Sequence, residues 1–184
     1  MKKKNFYKLV ISFILLALLI LTGRILKLYN DNITLSRGNI LEEIKTIRGV
    51  SMFPLLKDGE KVKALINYYS FYLPKRDDLV IIKFKTQPNK FFVKKIKGLP
   101  GDEIEIKNKI LFINGQEVLN SEGKPYFVEG KSENLLLKPL VNSKIPDGYY
   151  LVLSEEIRSS SFDSRYFGYL EINHLKGKVI KLNE

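Results

Sequence analysis

The chain has 184 residues, 45% of them apolar, with 31 Lys plus Arg against 20 Asp plus Glu, one histidine and no cysteine. That length supports one sizeable core and excludes a large multidomain machine. Lack of cysteine removes thiol nucleophiles, disulfides and thiolate-bound zinc, and a lone histidine excludes a paired-His metal helix; catalysis falls to hydroxyls, lysines or carboxylates, with no metal or cofactor expected. The formal net charge is +11, yet 25 of the basic residues are Lys and only 6 are Arg, scattered along strand-like stretches. A nucleic-acid reader needs clustered Arg for bidentate base contacts, so nucleic acid is not an expected partner.

Four Lys and no acid occupy residues 1–8, and residues 9–23 (LVISFILLALLILTG) carry no charge. Those 15 positions would span only about 22 Å as a helix, whereas residues 6–28 reach about 34 Å if Lys8, Arg24 and Lys27 snorkel to the interfaces. A cleaved secretory signal is the competing reading, but Arg24, Ile25, Leu26, Lys27, Leu28 and Tyr29 supply no small-residue cleavage site after Gly23. The expectation is a basic cytoplasmic tail over 1–8 and a retained single-pass transmembrane anchor over 9–28. Charge asymmetry then puts the body of the chain outside the cytoplasm, with membrane lipid as a partner.

Residues 29–41 read as a polar juxtamembrane connector broken by Asn30, Asp31, Asn32 and Gly38. Residues 42–184 form the predicted extracytoplasmic domain. Its short runs of Ile, Val, Phe, Tyr and Leu are bounded by Gly, Pro, Asn or Asp, which predicts a mostly β fold. Strands are expected over 79–85, 90–97, 104–107, 110–114, 149–154 and 178–182, with a hairpin turning at Asn108 and another turn at Asn114 and Gly115. Residues 120–142 read as a looped excursion, and 164–170 or 172–175 as single helical turns.

Three segments stand out: Arg48–Leu56 (RGVSMFPLL), Phe91–Asp102 (FFVKKIKGLPGD) and Ser159–Gly168 (SSSFDSRYFG). An ordinary serine hydroxyl is a weak nucleophile until a base activates it, so Ser51 needs a partner. His174 is the one histidine available for a Ser-His-Asp arrangement, and it sits in an unremarkable Glu-Ile-Asn-His-Leu-Lys stretch. Lysine is the other candidate, since Ser-Lys pairs are a known variant. A lysine base must be neutral, which burial among apolar groups favours. In an extended 91–97, alternation puts Phe92, Lys94 and Ile96 on one face, so Lys94 shares its face with two apolar side chains.

Together these segments resemble the bacterial type I signal peptidases, marked by a Ser-Met-X-Pro box, a Lys before Gly-Leu-Pro-Gly-Asp, and a Ser-X-Asp-Ser-Arg-X-X-Gly box. Asp58, Gly59, Val62, Pro74, residues 78–81 and 145–152 follow the same pattern, so the resemblance covers nearly the whole chain. It implies a signal-peptidase-like antiparallel β domain behind an amino-terminal transmembrane helix. It also implies a serine endopeptidase that cleaves signal peptides from exported preproteins, its partners. Ser51 would be the nucleophile and Lys94 the general base. Ser161 would hydrogen-bond the Lys amine, with Asp163 and Arg165 as an ion pair beside it. Gly49 takes a position where some relatives carry an oxyanion-binding serine, leaving that task to the Ser51 backbone N–H and a neighbour. Ile47, Phe92 and Val93 are candidates for small substrate pockets, and Met52, Phe53 and Leu55 for either an apolar rim resting on lipid or core packing.

Glu155, Glu156 and Ile157 depart from the Gly-Asp-Asn usual before Arg158, which leaves the geometry of that turn open. The alternative function is a non-catalytic assembly or chaperone factor of the same fold at the membrane, against which the joint presence of Ser51, Lys94 and Ser161 argues.

Overall fold

The structure of the chain, a computed structural model, describes residues 11, 13–28, 39–87, 90–158 and 161–182. It divides into two compact units, Met1–Asn39 and Ile40–Glu184. In the first, residues 13–28 form helix α1, a run of apolar side chains exposed on all faces. Among the described residues no helix is long and apolar enough to cross a membrane. The basic tail, residues 9, 10 and 12 of the expected anchor, and residues 29–38 of the connector lie outside the described residues.

The second unit is mostly antiparallel β. A seven-stranded sheet comprises β1 (Leu41–Thr46), β2 (Lys61–Ile66), β3 (Leu79–Ile82), β4 (Phe92–Gly98), β8 (Tyr149–Leu153), β9 (Leu170–Glu171) and β10 (Leu175–Lys181). Its strands lie in the order β1-β2-β10-β3-β4-β8-β9. A smaller sheet joins β5 (Ile104–Lys107), β6 (Ile110–Ile113) and β7 (Gln116–Glu117). Its turns follow from residue chemistry: Asn108 and Lys109, then Asn114 and Gly115, all take positive φ. Asn and Gly tolerate that region best, which suits two-residue hairpin turns.

Strand alternation distributes the core. Leu151 and Leu153 of β8 join the small sheet, Tyr126, Val128 and Leu136 in one cluster. Tyr150 and Val152 of the same strand pack on the opposite face with Val80, Ile82 and Ile96. A third cluster gathers Ile47, Met52, Leu56, Val62, Ala64, Ile81 and Val179. The central strands are therefore covered on both sides, and their apolar runs are continuous instead of alternating.

Within 120–142, a seven-residue helix α2 (Lys131–Leu137) buries Leu136 and seats its segment on the first cluster. Helix α3 (Ser164–Phe167) starts after Asp163, whose carboxylate accepts from the Arg165 N–H as an amino-terminal cap. Ile172–His174 forms one 3-10 turn.

Candidate active site

Ser51 sits in the turn that follows β1. The Ile47 N–H donates to Glu60 O at 2.8 Å, and the Gly59 N–H donates back to Ile47 O at 2.9 Å, pinning the base of the turn. Gly49 adopts φ 88, a region where a side chain is strained, and its N–H donates to the Asp58 carboxylate at 2.7 Å. Phe53 N–H to Val50 O and Leu56 N–H to Met52 O complete the winding, so Ser51 is exposed while Met52 is buried beside it. The core reading thus holds for Met52 and in part for Leu55. The exposed apolar side chains at this turn are Val50 and Phe53.

Lys94 lies in the middle of β4, opposite Val80 of β3, and is only 2% exposed. Its Nζ and Ser51 Oγ are 3.1 Å apart, within hydrogen-bond distance. Burial pulls the amine down from its usual 10.5 to about 8; the Asp163 carboxylate pulls it up and the Arg165 guanidinium pushes it down. An appreciable neutral fraction therefore exists at mildly alkaline pH, as a proton acceptor requires.

The same burial has a stability consequence. Between pH 8 and 10.5 the unfolded chain holds a proton on this lysine that the folded chain does not, so stability rises with pH across that window and the buried ammonium is a liability below it. Lys94→Met is expected to stabilise the protein at pH 7 by up to about 3 kcal/mol, with the gain vanishing above pH 10.5. Urea midpoints at pH 7 and pH 10.5 check this, and equal midpoints at pH 7 would mean the ammonium bears no penalty.

The third segment contributes buried polar groups, two of which act on Lys94 by their charge. Asp163 and Arg165 are both fully buried and joined at 2.7 Å. Arg165 Nε also donates to Asp163 Oδ1, while its remaining N–H groups reach Ile157 O and Glu156 O. The guanidinium lies 5.1 Å from the Tyr126 ring. Ser161 Oγ meets Ser154 Oγ, and Ser154 Oγ meets Asp163 Oδ2 at 2.7 Å.

Sequence reasoning missed Ser154, Lys95 and the role of Glu155. Lys95, on the face opposite Lys94, is itself buried because β4 is covered on both sides, and it pairs with fully buried Glu155 at 2.9 Å. Glu155 also accepts the Ser121 N–H at 2.7 Å. Burial raises this carboxyl, but the Ser121 N–H and the Lys95 ammonium outweigh that and hold it below its ordinary value. Its own N–H donates to Ser51 O at 2.9 Å, tying the turn left open by the missing Gly-Asp-Asn to the serine itself. An exposed-looking Glu-Glu-Ile run gave no signal of this.

Gly98–Asp102 is a brace. Asp102 accepts from the Leu99 N–H, from Asn114 Nδ2 and twice from Arg76, whose other nitrogen reaches Lys97 O. A Cβ on Gly98 would lie 2.6 Å from Ile145 and 2.8 Å from Leu151, so only glycine fits where β4 passes them. Of the candidate pocket residues, Ile47 and Val93 pack on the third core cluster and Phe92 on the second. A cavity of about 550 Å³, lined by residues that include Val50, Phe53, Glu156 and Arg158, opens beside the serine turn. Among the described residues no group of three or more His, Asp or Glu side chains is arranged to hold a metal ion.

Residues 5–182 match the family described as signal peptidase, peptidase S26. The chain is 36% identical to signal peptidase IB of Staphylococcus aureus strain Mu50 over 156 residues, covering 77% of this chain and 78% of that one. It is 34% identical to signal peptidase I of Bacillus caldolyticus over 138 residues, covering 72% and 74%. A crystal structure of a signal peptidase I from Enterococcus faecalis V583 aligns at 26% identity over 59% of this chain and 98% of that one, with a TM-score of 0.44. With the serine of one motif-bearing segment meeting the buried lysine of another, and a family match running almost end to end, the chain belongs to the signal peptidases of peptidase family S26.

Proposed function

We propose that this chain is a membrane-anchored serine endopeptidase that removes amino-terminal signal peptides from exported preproteins, using Ser51 as nucleophile and Lys94 as general base. The observation that carries this reading is the 3.1 Å separation of Ser51 Oγ from the amine of a lysine that is 2% exposed. Neutral Lys94 takes the Ser51 proton as Oγ attacks the scissile carbonyl, and the resulting oxyanion is held by the Ser51 backbone N–H and a neighbouring donor. The Lys94 ammonium then protonates the leaving amine, releasing the mature chain and leaving an acyl-enzyme on Ser51. Water, deprotonated by the same amine, attacks that ester and frees the signal peptide.

Substrate binds extended, as an added strand. Two features favour this. β1 is the edge of its sheet, and β8 pairs with β4 only from Lys95 to Gly98, leaving the Phe92–Lys94 edge without a β8 partner. Ile47, Phe92 and Val93 line pockets that take Ala-like side chains one and three residues before the cut. The anchor over 9–28 holds the enzyme in the membrane by a single pass, amino terminus in the cytoplasm and catalytic domain outside, where its substrates emerge.

The test is incubation of the full chain in detergent with a preprotein bearing an Ala-X-Ala site, the cut mapped by mass spectrometry. Cleavage after the second Ala by the unmodified chain and none by Ser51→Ala is the expected result. An unmodified chain inert on several such preproteins would favour the non-catalytic assembly factor.

A further inference from the structure

Hydrogen-bond polarity around Asp163 is fixed by donors that cannot reverse. Its Oδ2 accepts the Ser154 backbone N–H at 3.0 Å and an Arg165 N–H at 2.7 Å, and its Oδ1 accepts the Arg165 backbone N–H and Nε–H, each at 3.0 Å. Neither an amide nor a guanidinium N–H can accept, so both carboxylate oxygens are acceptors. The Ser154 hydroxyl, 2.7 Å from Oδ2, must therefore be the donor of that contact. A hydroxyl has one hydrogen. With it committed to Asp163, Ser154 Oγ can only accept from Ser161, whose Oγ lies 2.5 Å away. Ser161 then has no hydrogen left and only lone pairs to offer any further neighbour.

Ser154 cannot drift out of this role. It is fully buried, its N–H is on Asp163, and its carbonyl accepts the Tyr126 hydroxyl at 2.7 Å. We propose that Ser154 is a positioning residue that sets the proton direction of Ser161, making Ser161 a pure acceptor for the Lys94 amine. This rests on the reading of Ser51 and Lys94 as the catalytic pair and of Ser161 as the partner of that amine. A base must aim its lone pair at the nucleophile's proton. If Ser161 could turn its own hydrogen toward Lys94, it would occupy that lone pair and compete with Ser51. A Ser154 that holds the Ser161 hydrogen elsewhere lets Ser161 draw an N–H of the amine and leaves the lone pair for Ser51. Asp163, which anchors the Ser154 hydroxyl, also acts on the Lys94 amine by its charge, as does Arg165.

The experiment is a cycle of Ser154→Ala, Ser161→Ala and the double variant in the full chain, with kcat, KM and the pH dependence of kcat/KM measured on a preprotein. Ser154→Ala should lower kcat roughly tenfold at unchanged KM, since misorientation, not binding, is the loss. The acid limb of its profile should also move to lower pH, because a freed Ser161 hydroxyl can stabilise the neutral amine. The double variant should be no worse than Ser161→Ala alone, as expected for residues acting through one path. Ser154→Thr, which keeps the hydroxyl, should recover both kcat and the limb. A Ser154→Ala enzyme with normal kcat and limb overturns the assignment, as does an effect that adds in full to that of Ser161→Ala. Ser51→Ala and Lys94→Arg are run alongside: activity in either one overturns the catalytic pair itself and the Ser154 role with it.

Discussion

Lys94→Arg is expected to lower kcat/KM for preprotein cleavage by about 10³-fold or more, the scale of losing a general base. The substitution separates two roles that a lysine beside a nucleophile can play. A permanent cation would stabilise negative charge on the attacking oxygen and on the tetrahedral intermediate, and arginine would still supply that. Proton transfer needs a group that can lose its proton, which a guanidinium in a protein does not do. The structure favours the second role. A lysine 2% exposed has given up most of its hydration, and burial is the largest influence drawing its amine down to about 8. The unmodified enzyme should accordingly show a kcat/KM that falls tenfold per pH unit below an acid limb near 8 and flattens above it. Lys94→Met, which fits an apolar site more easily than arginine, guards against reading a packing failure as a chemical one. Folded, inactive Met and Arg variants together with a limb near 8 make Lys94 the base. A Lys94→Arg enzyme with substantial activity would reassign the lysine to electrostatic stabilisation.

The parts of this site that could be read from the sequence were those whose signal is local. Asn108, Asn114 and Gly115 announce turns because few residues tolerate positive φ, and both hairpins lie there. Alternation put Lys94 with Phe92 and Ile96, and Ile96 is fully buried. What alternation cannot give is whether the other face is covered as well. Alternation puts Lys95 on the opposite side, yet nothing local reveals that the opposite side of β4 is also interior and that Glu155, some sixty residues on, completes its charge. β1 and β2 were harder still. Glu42, Glu43, Lys45, Lys61 and Lys63 mask their apolar positions, and the six-residue antiparallel register that joins them is a long-range fact. Helix α2 escaped because seven residues with only one buried Leu show too little of the 3.6-residue period. Ser154 escaped for a different reason: its importance lies in the direction of one hydrogen, settled by Asp163 and Arg165 nine and eleven residues away in sequence.

Arg165→Ala should destabilise the folded chain by about 3 to 5 kcal/mol, as breaking one side of a buried ion pair does. The loss would come from what is left behind. Asp163 would keep a carboxylate in a fully buried position without its counter-charge, and Glu156 O and Ile157 O would each lose a donor. Arg165→Lys should recover little of this, because one ammonium cannot reproduce a planar fork that grips a carboxylate and two carbonyls at once. Unfolding in urea at pH 7 measures the loss. The kinetic consequence distinguishes a specific role from general loosening. Arg165 pushes the Lys94 amine down and Asp163 pulls it up. Removing the guanidinium leaves the carboxylate unopposed and should move the acid limb of kcat/KM to higher pH; Asp163→Asn should move it lower. Both variants break the same pair and both should lower stability, so a limb that shifts in one common direction would mean that softened packing governs Lys94. Opposite shifts would mean that the two buried charges themselves set where the base becomes free to act.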